Sequence, residues 1–459
     1  MRYIFNFLFN ILYQMSKSPQ LGFPGIVVCD SGSGVTKAGL STDAFPSLVM
    51  PTLVGRPVVR DHARYSRHIF ADENVLDEYL VLRTVPTDDK PKSVYLSGTH
   101  VFIGNEAKQH QSLVDLSCPI RSGVVKNWED MELVWSHVFK HLTADEQEAQ
   151  ILTPCNRQQQ KRKRQSSAVR PAAAHSVVLT ESVEEPFKNQ LEKTTEMMFE
   201  TFLFERVNIS ASAALILAAR GTSSGIIVEC GDGKTEIVPV SNGYVQKGSV
   251  RKTNVGGRAV TERLIDLLKR SHGSNYGLDP DRDFILIEKL KEKLCYIATD
   301  LGEERYVAEK TNALSATFSL PDRTSIVINK ERFLGPEILF QPQFMGDASS
   351  DCSGISGLVE ESISSCAIDL RAPMYKSIIL SGGSTLFPGF GDRIRSDLRA
   401  HKVMVDEAGD RLLLPFQGGA ALAQLHQSST TWWVDKKEYD EVGPYAIHRL
   451  FNFGHQKSN

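Results

Sequence analysis

Paired cysteines are missing from this chain. Its seven cysteines (Cys29, Cys118, Cys155, Cys230, Cys295, Cys352 and Cys366) are odd in number, widely scattered and contain no Cys-x-x-Cys pair. That leaves no disulfide framework to read, and a reducing, intracellular setting is expected. A bilayer-crossing run is missing too. The first fourteen residues, Met1–Gln14, resemble a short signal segment but are too short to span a membrane and have no small-residue cleavage site, so they read as an extension that the fold does not need. Charge of one sign is also scarce: 52 Lys plus Arg against 55 Asp plus Glu leaves a net charge of −3. This argues against a generally nucleic-acid-binding or membrane-coating surface, so a polyanion would have to be met locally.

What is present is an ordinary globular composition, 41% apolar and 23% charged over 459 residues, enough for two large domains or about three smaller ones. Within it one construction recurs. Gly25-Ile-Val-Val-Cys-Asp30-Ser31-Gly32-Ser33-Gly34, with Lys37 beyond it, is an apolar β run closed by a carboxylate and two glycines. Gly225-Ile-Ile-Val-Glu229-Cys230-Gly231-Asp232-Gly233 repeats the pattern. Such turns let backbone N–H groups face an anion where side chains would block the approach, and two of them facing each other would clamp a polyphosphate. Ile378–Ser381 followed by Gly382-Gly383-Ser384-Thr385 and Phe387 is a third strand running through glycines toward a helix. Any one of these turns alone is more often a plain tight turn. In series, with Asp30, Glu229 and Asp232 as acids and Lys37 as a point charge, they suit Mg²⁺ held by carboxylates and phosphates together.

Between these turns the expectations are local. Residues 45–57 read as a Pro/Gly-punctuated connection, and residues 60–101 as a polar, irregular lobe closed by a short strand and turn at 101–107. Asn127 is the N-cap of a helix with Met131, Val134, Trp135 and Val138 on one face. Ala144–His175 contains the basic run Lys161–Arg164 and cannot bury apolar area, so a disordered surface loop is expected; the basic run is a solvated face or an import or nucleic-acid patch. Ser210–Ala219 is a small-residue helix ending before a candidate hinge at Gly221–Gly225. Further helices carry Val260, Leu264, Leu267 and Leu268, then Ile287, Leu290, Leu294 and Ile297, and Gln417-Gly418-Gly419 introduces an apolar helix Ala420–Leu425. Lys291 and Glu292 flank the second stripe, as ligand contacts or as surface ion-pair partners.

Taken together, Asp30-Ser-Gly-Ser-Gly34, Val54-Gly-Arg-Pro57, Asn127-Trp-Glu-Asp-Met131, Met198–Phe202, Gly231-Asp-Gly233, Gly257-Arg258, Lys291–Tyr296, Leu339–Pro342, Leu380–Thr385 and Glu438-Tyr439 resemble the actin family from Pro24 to about Val442. The resemblance implies an α/β, actin-like ATPase fold of two lobes, each a β-sheet with flanking helices and the nucleotide in the cleft between them. It implies an outer lobe with a large subdomain (21–51, 114–219 and 414–459, carrying the insert 144–175) and a small one (52–113). The inner lobe would have a large subdomain (220–255 and 348–413) and a small one (256–347), with 1–20 a disordered extension. Local choices such as Val27–Asp30, Phe45-Pro46, Leu53–Pro57 and Gly123–Trp128 are most similar to an actin-related subunit of the complex that nucleates branched actin filaments.

The same resemblance implies ATP and Mg²⁺ as cofactors. Gly32, Ser33, Gly34 and Lys37 would hold the phosphates from one side and Gly231, Asp232 and Gly233 from the other, with Asp30 and Glu229 orienting the waters of the metal. Gly257, Lys291 and Glu292 would contact the ribose and base, and Gly382, Gly383, Ser384, Thr385 and Phe387 would close the adenosine pocket. Where the family has a water-positioning glutamine and a nearby histidine, this chain has Ser212 and Glu236; Glu229 replaces an aspartate, and Leu412 replaces a lysine on the adenine. Weak or absent hydrolysis follows, hence a structural subunit rather than an enzyme. The implied partners are the other nucleator subunits including a second actin-related protein, actin filaments and nucleation-promoting factors, with no nucleic acid and no membrane, in the cytoplasm and cytoskeleton. A divergent actin, a nuclear chromatin-associated relative, and a sugar or acetate kinase on the same superfold remain the alternatives.

Overall fold

The computed structural model describes residues 25–57, 101–111, 114–143, 174–183, 188–272, 284–320, 325–345 and 353–451. The N-terminal extension, nearly all of the 60–101 segment and the Lys161–Arg164 run lie outside them. The first glycine turn joins β1 (Gly25–Ser31) to β2 (Val35–Leu40), an antiparallel hairpin that sets Asp30 opposite Lys37. The stretch expected as a plain connection instead carries β3 (Leu48–Pro51), paired with β2, and β4 (Val54–Pro57). Pro51 and Pro57 close these strands, where a missing N–H disturbs the ladder least. β4 continues into a small sheet with β5 (Phe102–Ile103) and β6 (Val114–Ser117), followed by the short pair β7 (Ile120–Arg121) and β8 (Val124–Val125).

The helix Trp128–Thr143 begins where the sequence suggests: Asn127 Oδ1 accepts from the Asp130 N–H at 3.1 Å, and Met131, Val134, Trp135 and Val138 are buried. β9 (Ala174–Glu181) then lies parallel beside β1, and β10 (Arg206–Ala211) parallel beside β9. Ser210 and Ala211 therefore belong to a strand, and the following helix is Ser212–Ala219. A second sheet repeats the plan. β11 (Gly225–Cys230) and β12 (Thr235–Ser241) form the second hairpin, with β13 (Tyr244–Val245) and β14 (Arg251–Thr253) on β12. After the separate hairpin of β15 (Ala316–Ser319) and β16 (Ser325–Ile328), β17 (Ile378–Ser381) adds parallel to β11, and β18 (Val405–Asp406) to β17. β19 (Val434–Asp435) returns to the first sheet, whose order is β19-β10-β9-β1-β2-β3. Strands such as β17 are covered on both faces, which is why they read as unbroken apolar runs.

Two helices join the lobes, Ser212–Ala219 and Leu414–Leu425. The second begins earlier than the sequence suggested, with Pro415 in its first turn and Gly418 and Gly419 inside it. A Cβ on Gly418 would sit 1.8 Å from the Leu215 carbonyl oxygen, and one on Gly419 2.9 Å from Val28 Cγ1. Glycine in a helix interior costs about 1 kcal/mol relative to alanine; here it lets the two helices touch backbone to backbone. The helix Phe284–Leu294 stops short of Ile297, which is buried beyond it and whose N–H donates to the Pro388 carbonyl at 2.8 Å.

Candidate functional site

The two hairpin turns are built alike and meet. Gly32 donates its N–H across its own turn to the Val35 carbonyl at 3.1 Å, and Gly231 does the same to Lys234 at 3.0 Å. A Cβ on Gly34 would lie 2.7 Å from Asp232 Cβ, and one on Gly233 2.8 Å from Ser33 Oγ. Only glycine permits this approach. The third turn closes on the second: Ser384 Oγ donates to the Gly231 carbonyl at 2.8 Å, and Gly382, at φ 88°, would carry a Cβ 2.3 Å from the Cys230 carbonyl oxygen. Gly257 donates its N–H to that same Gly231 carbonyl at 2.9 Å, and Lys291 Nζ donates to the Gly257 carbonyl at 2.9 Å. Lys291 is thus buried and bonded to backbone rather than paired on the surface.

Between the lobes these turns enclose a cavity of about 690 Å³, a size usual for small-molecule sites. Asp30, Gly32, Ser33, Gly34, Lys37, Glu229, Gly231, Asp232, Gly233, Gly257, Lys291, Glu292, Gly382, Gly383, Ser384 and Phe387 all line it. Thr385 does not. It is fully buried and donates its hydroxyl to the Gly382 carbonyl at 2.7 Å, shaping the turn from behind.

Charge in the cavity is mostly paired. Lys37 Nζ meets Asp30 Oδ2 at 2.8 Å, and Thr180 Oγ1 donates to Asp30 Oδ1 at 2.7 Å. Glu229 accepts from Ser212 Oγ at 2.6 Å; burial pushes its carboxyl up to about 7, with the charges of Glu236 and Asp30 adding to the rise. Glu236 accepts from Ser182 Oγ and pairs with Lys234 Nζ at 3.0 Å. Burial also raises Glu181, which accepts from Gln190 Nε2 at 3.0 Å, and Asp232. At the rim two contacts cross the cleft: Lys108 Nζ to Glu288 Oε2 at 3.1 Å, and Arg258 Nη1 to Cys118 Sγ at 3.6 Å.

Sequence reasoning missed Thr180, Glu181, Ser182, Lys234, Arg258 and Glu288, all of which line the cavity. Two signals were available. Thr180-Glu181-Ser182 ends a parallel strand beside β1, and ligands of such sheets gather at strand carboxyl ends; Lys234 directly follows Gly231-Asp232-Gly233.

Two like-built lobes meeting at paired glycine turns over a cleft that carries paired charges define the actin-like class of fold. A profile of the Actin family matches residues 24–452, and the chain belongs to the actin family. Among relatives, actin-related protein 2 of Saccharomyces cerevisiae is 33% identical over 440 residues, covering 92% of this chain and 98% of that protein. Actin-related protein 2 of Acanthamoeba castellanii is 31% identical (93% of this chain, 98% of that protein), and that of Drosophila melanogaster 31% (94% and 98%).

Proposed function

We propose that this chain is an ATP-binding subunit of an actin-nucleating complex that imitates a filament end, with weak or no ATP hydrolysis. The carrying observation is that the three glycine turns converge on one cavity while Ser212 and Glu236, at the positions of the family's water-handling residues, are engaged with Glu229 and with Ser182 and Lys234. The relatives' names, actin-related protein 2, support the assignment to that subclass.

The residues fit Mg-ATP. Glycines whose Cβ atoms would collide with the facing turn leave a backbone cradle suited to phosphates. Asp30, buried, and Glu229, half-buried, are acids lining the cavity and suited to a magnesium held through its waters. When bound, the metal would offset phosphate charge. Gly32, Ser33, Gly34 and Lys37 would hold the phosphates from one lobe and Gly231, Asp232 and Gly233 from the other. Gly257, Lys291 and Glu292, with Gly382, Gly383, Ser384 and Phe387, would take the nucleoside, and Thr385 would support that wall.

Other nucleator subunits, a second actin-related protein, actin filaments and nucleation-promoting factors are the proposed partners, in the cytoplasm and cytoskeleton. Among the described residues no helix is long and apolar enough to cross a membrane. Affinity purification with mass spectrometry tests the assignment: nucleator subunits support it, and chromatin-remodeller subunits overturn it. Single-turnover hydrolysis in the assembled complex tests the second half, and a rate equal to that of actin filaments would sink it.

A further inference from the structure

We infer that Lys234 is a second phosphate cation that distinguishes a nucleoside triphosphate from a diphosphate. This rests on the ATP reading above. The lysine expected to hold phosphate, Lys37, is buried against Asp30 at 2.8 Å, so its charge is already matched. Lys291 is buried as well, donating to the Gly257 carbonyl. Lys234 differs in exposure and in place. It lines the cavity at the end of the Gly231-Asp232-Gly233 turn, and its side chain is 24% exposed, against 10% for that of Lys37. Its ammonium lies along Gly123, whose added Cβ would fall 2.7 Å from Nζ, and the Gly123 N–H donates at 3.2 Å to Ser33 Oγ in the facing turn. Lys234 therefore stands where the two turns meet.

Its partner acid, like that of Lys37, has a hydroxyl donor besides the lysine. Glu236 is 2% exposed, and a buried carboxylate stripped of its only partner would be costly. Glu236 also accepts from Ser182 Oγ, so Lys234 can turn toward a phosphate without leaving Glu236 bare. Lys234 neutralises Glu236 in this structure; with a triphosphate bound it moves its ammonium to the terminal phosphate, while Ser182 stays on Glu236. A diphosphate lacks the group that draws it across.

Equilibrium binding of Mg-ATP and Mg-ADP to the full-length chain, followed with fluorescent analogues, decides it. Lys234→Gln and Lys234→Met should weaken ATP by about tenfold, as for loss of a charge-assisted hydrogen bond, and leave ADP within about twofold, while Lys234→Arg retains most of the preference. Equal losses for both nucleotides, or none, overturn the inference and leave the ATP reading standing. Wild-type protein that binds neither nucleotide overturns both. Wild type also provides a measurement independent of any variant's folding: its preference for ATP over ADP should shrink as salt rises, and a preference indifferent to salt counts against Lys234.

Discussion

Ser212 donates its hydroxyl to Glu229 at 2.6 Å, so the first residue of one lobe-joining helix is fastened to the last carboxylate of β11. A side chain committed in this way is not free to position a water. The pair ties the floor of the cleft together at a place where hydrolysis would need a loosely held donor.

The first prediction concerns turnover. If the engaged Ser212 and Glu236 are what suppresses hydrolysis, Ser212→Gln combined with Glu236→His should raise single-turnover phosphate release by about tenfold or more, the low end of what positioned proton-handling groups contribute. Release measured in the assembled complex and unchanged by the double substitution would place the block elsewhere.

Stability should depend on pH through Glu229. Its carboxyl rises from 4.5 to about 7 because it is buried, with nearby acids adding. A folded-state value above the unfolded one means that the native protein holds the proton more tightly. The contribution therefore favours folding fully below pH 4.5 and is lost as pH climbs through about 7. Glu229→Gln keeps the shape and removes the titration. Between about pH 5 and about pH 8 its melting temperature should gain on wild type, equivalent to at most about 3 kcal/mol. A gap that stays constant with pH contradicts this. Glu181 and Asp232, raised by burial in the same direction, are common to both proteins and cancel in the comparison.

The inner lobe contains a buried ion pair whose disruption should be severe. Arg393 meets Glu337 through both Nη atoms at 3.1 and 2.9 Å, with side chains only 7% and 0% exposed. Arg393→Ala leaves Glu337 charged and alone, at a cost of about 3–5 kcal/mol. Chemical denaturation should show it. Glu337→Gln, which can still accept from Arg393, should lose less, and equal losses would mean that packing rather than charge dominates.

Gly418→Ala tests the helix contact. Its methyl group would fall 1.8 Å from the Leu215 oxygen, inside contact distance with rigid backbone. The helices must part, at a cost of roughly 1–3 kcal/mol or more. Thermal melting should fall clearly, whereas Ala421→Gly, at a half-buried position in the same helix, should cost little beyond the ordinary helix penalty of about 1 kcal/mol.

Much of this was legible because the chemistry is written in short, contiguous stretches. Asp30–Lys37 and Glu229–Gly233 are each one hairpin, and a hairpin brings its own ends together, so their pairing needed no knowledge of the rest of the chain. Asn127 and its helix were readable for the same reason. What escaped was whatever depended on a distant partner. Gly418 and Gly419 looked like a break before a helix because glycine lowers helix propensity; the neighbour that makes them necessary, Leu215, is two hundred residues away in sequence. Likewise Lys291, read alone, fitted a surface ion pair as well as a ligand contact, and its burial against the distant Gly257 carbonyl was not legible; β3 and β4 were concealed by the prolines at their ends.

The packed helices Ser212–Ala219 and Leu414–Leu425 have a mechanical consequence. Among the described residues the chain passes between the two major sheets once after Ala219 and once after Asp406, and the Gly418–Leu215 contact welds both passages at one point. Any opening of the cleft is therefore expected to turn about that spine, like a book about its binding. Residues beside the spine, Ser212 and Glu229, should then travel little, whereas Lys108 and Glu288, paired across the rim, should travel furthest. A distance probe placed across the edges should register an arriving nucleotide, and one placed at the spine should barely move.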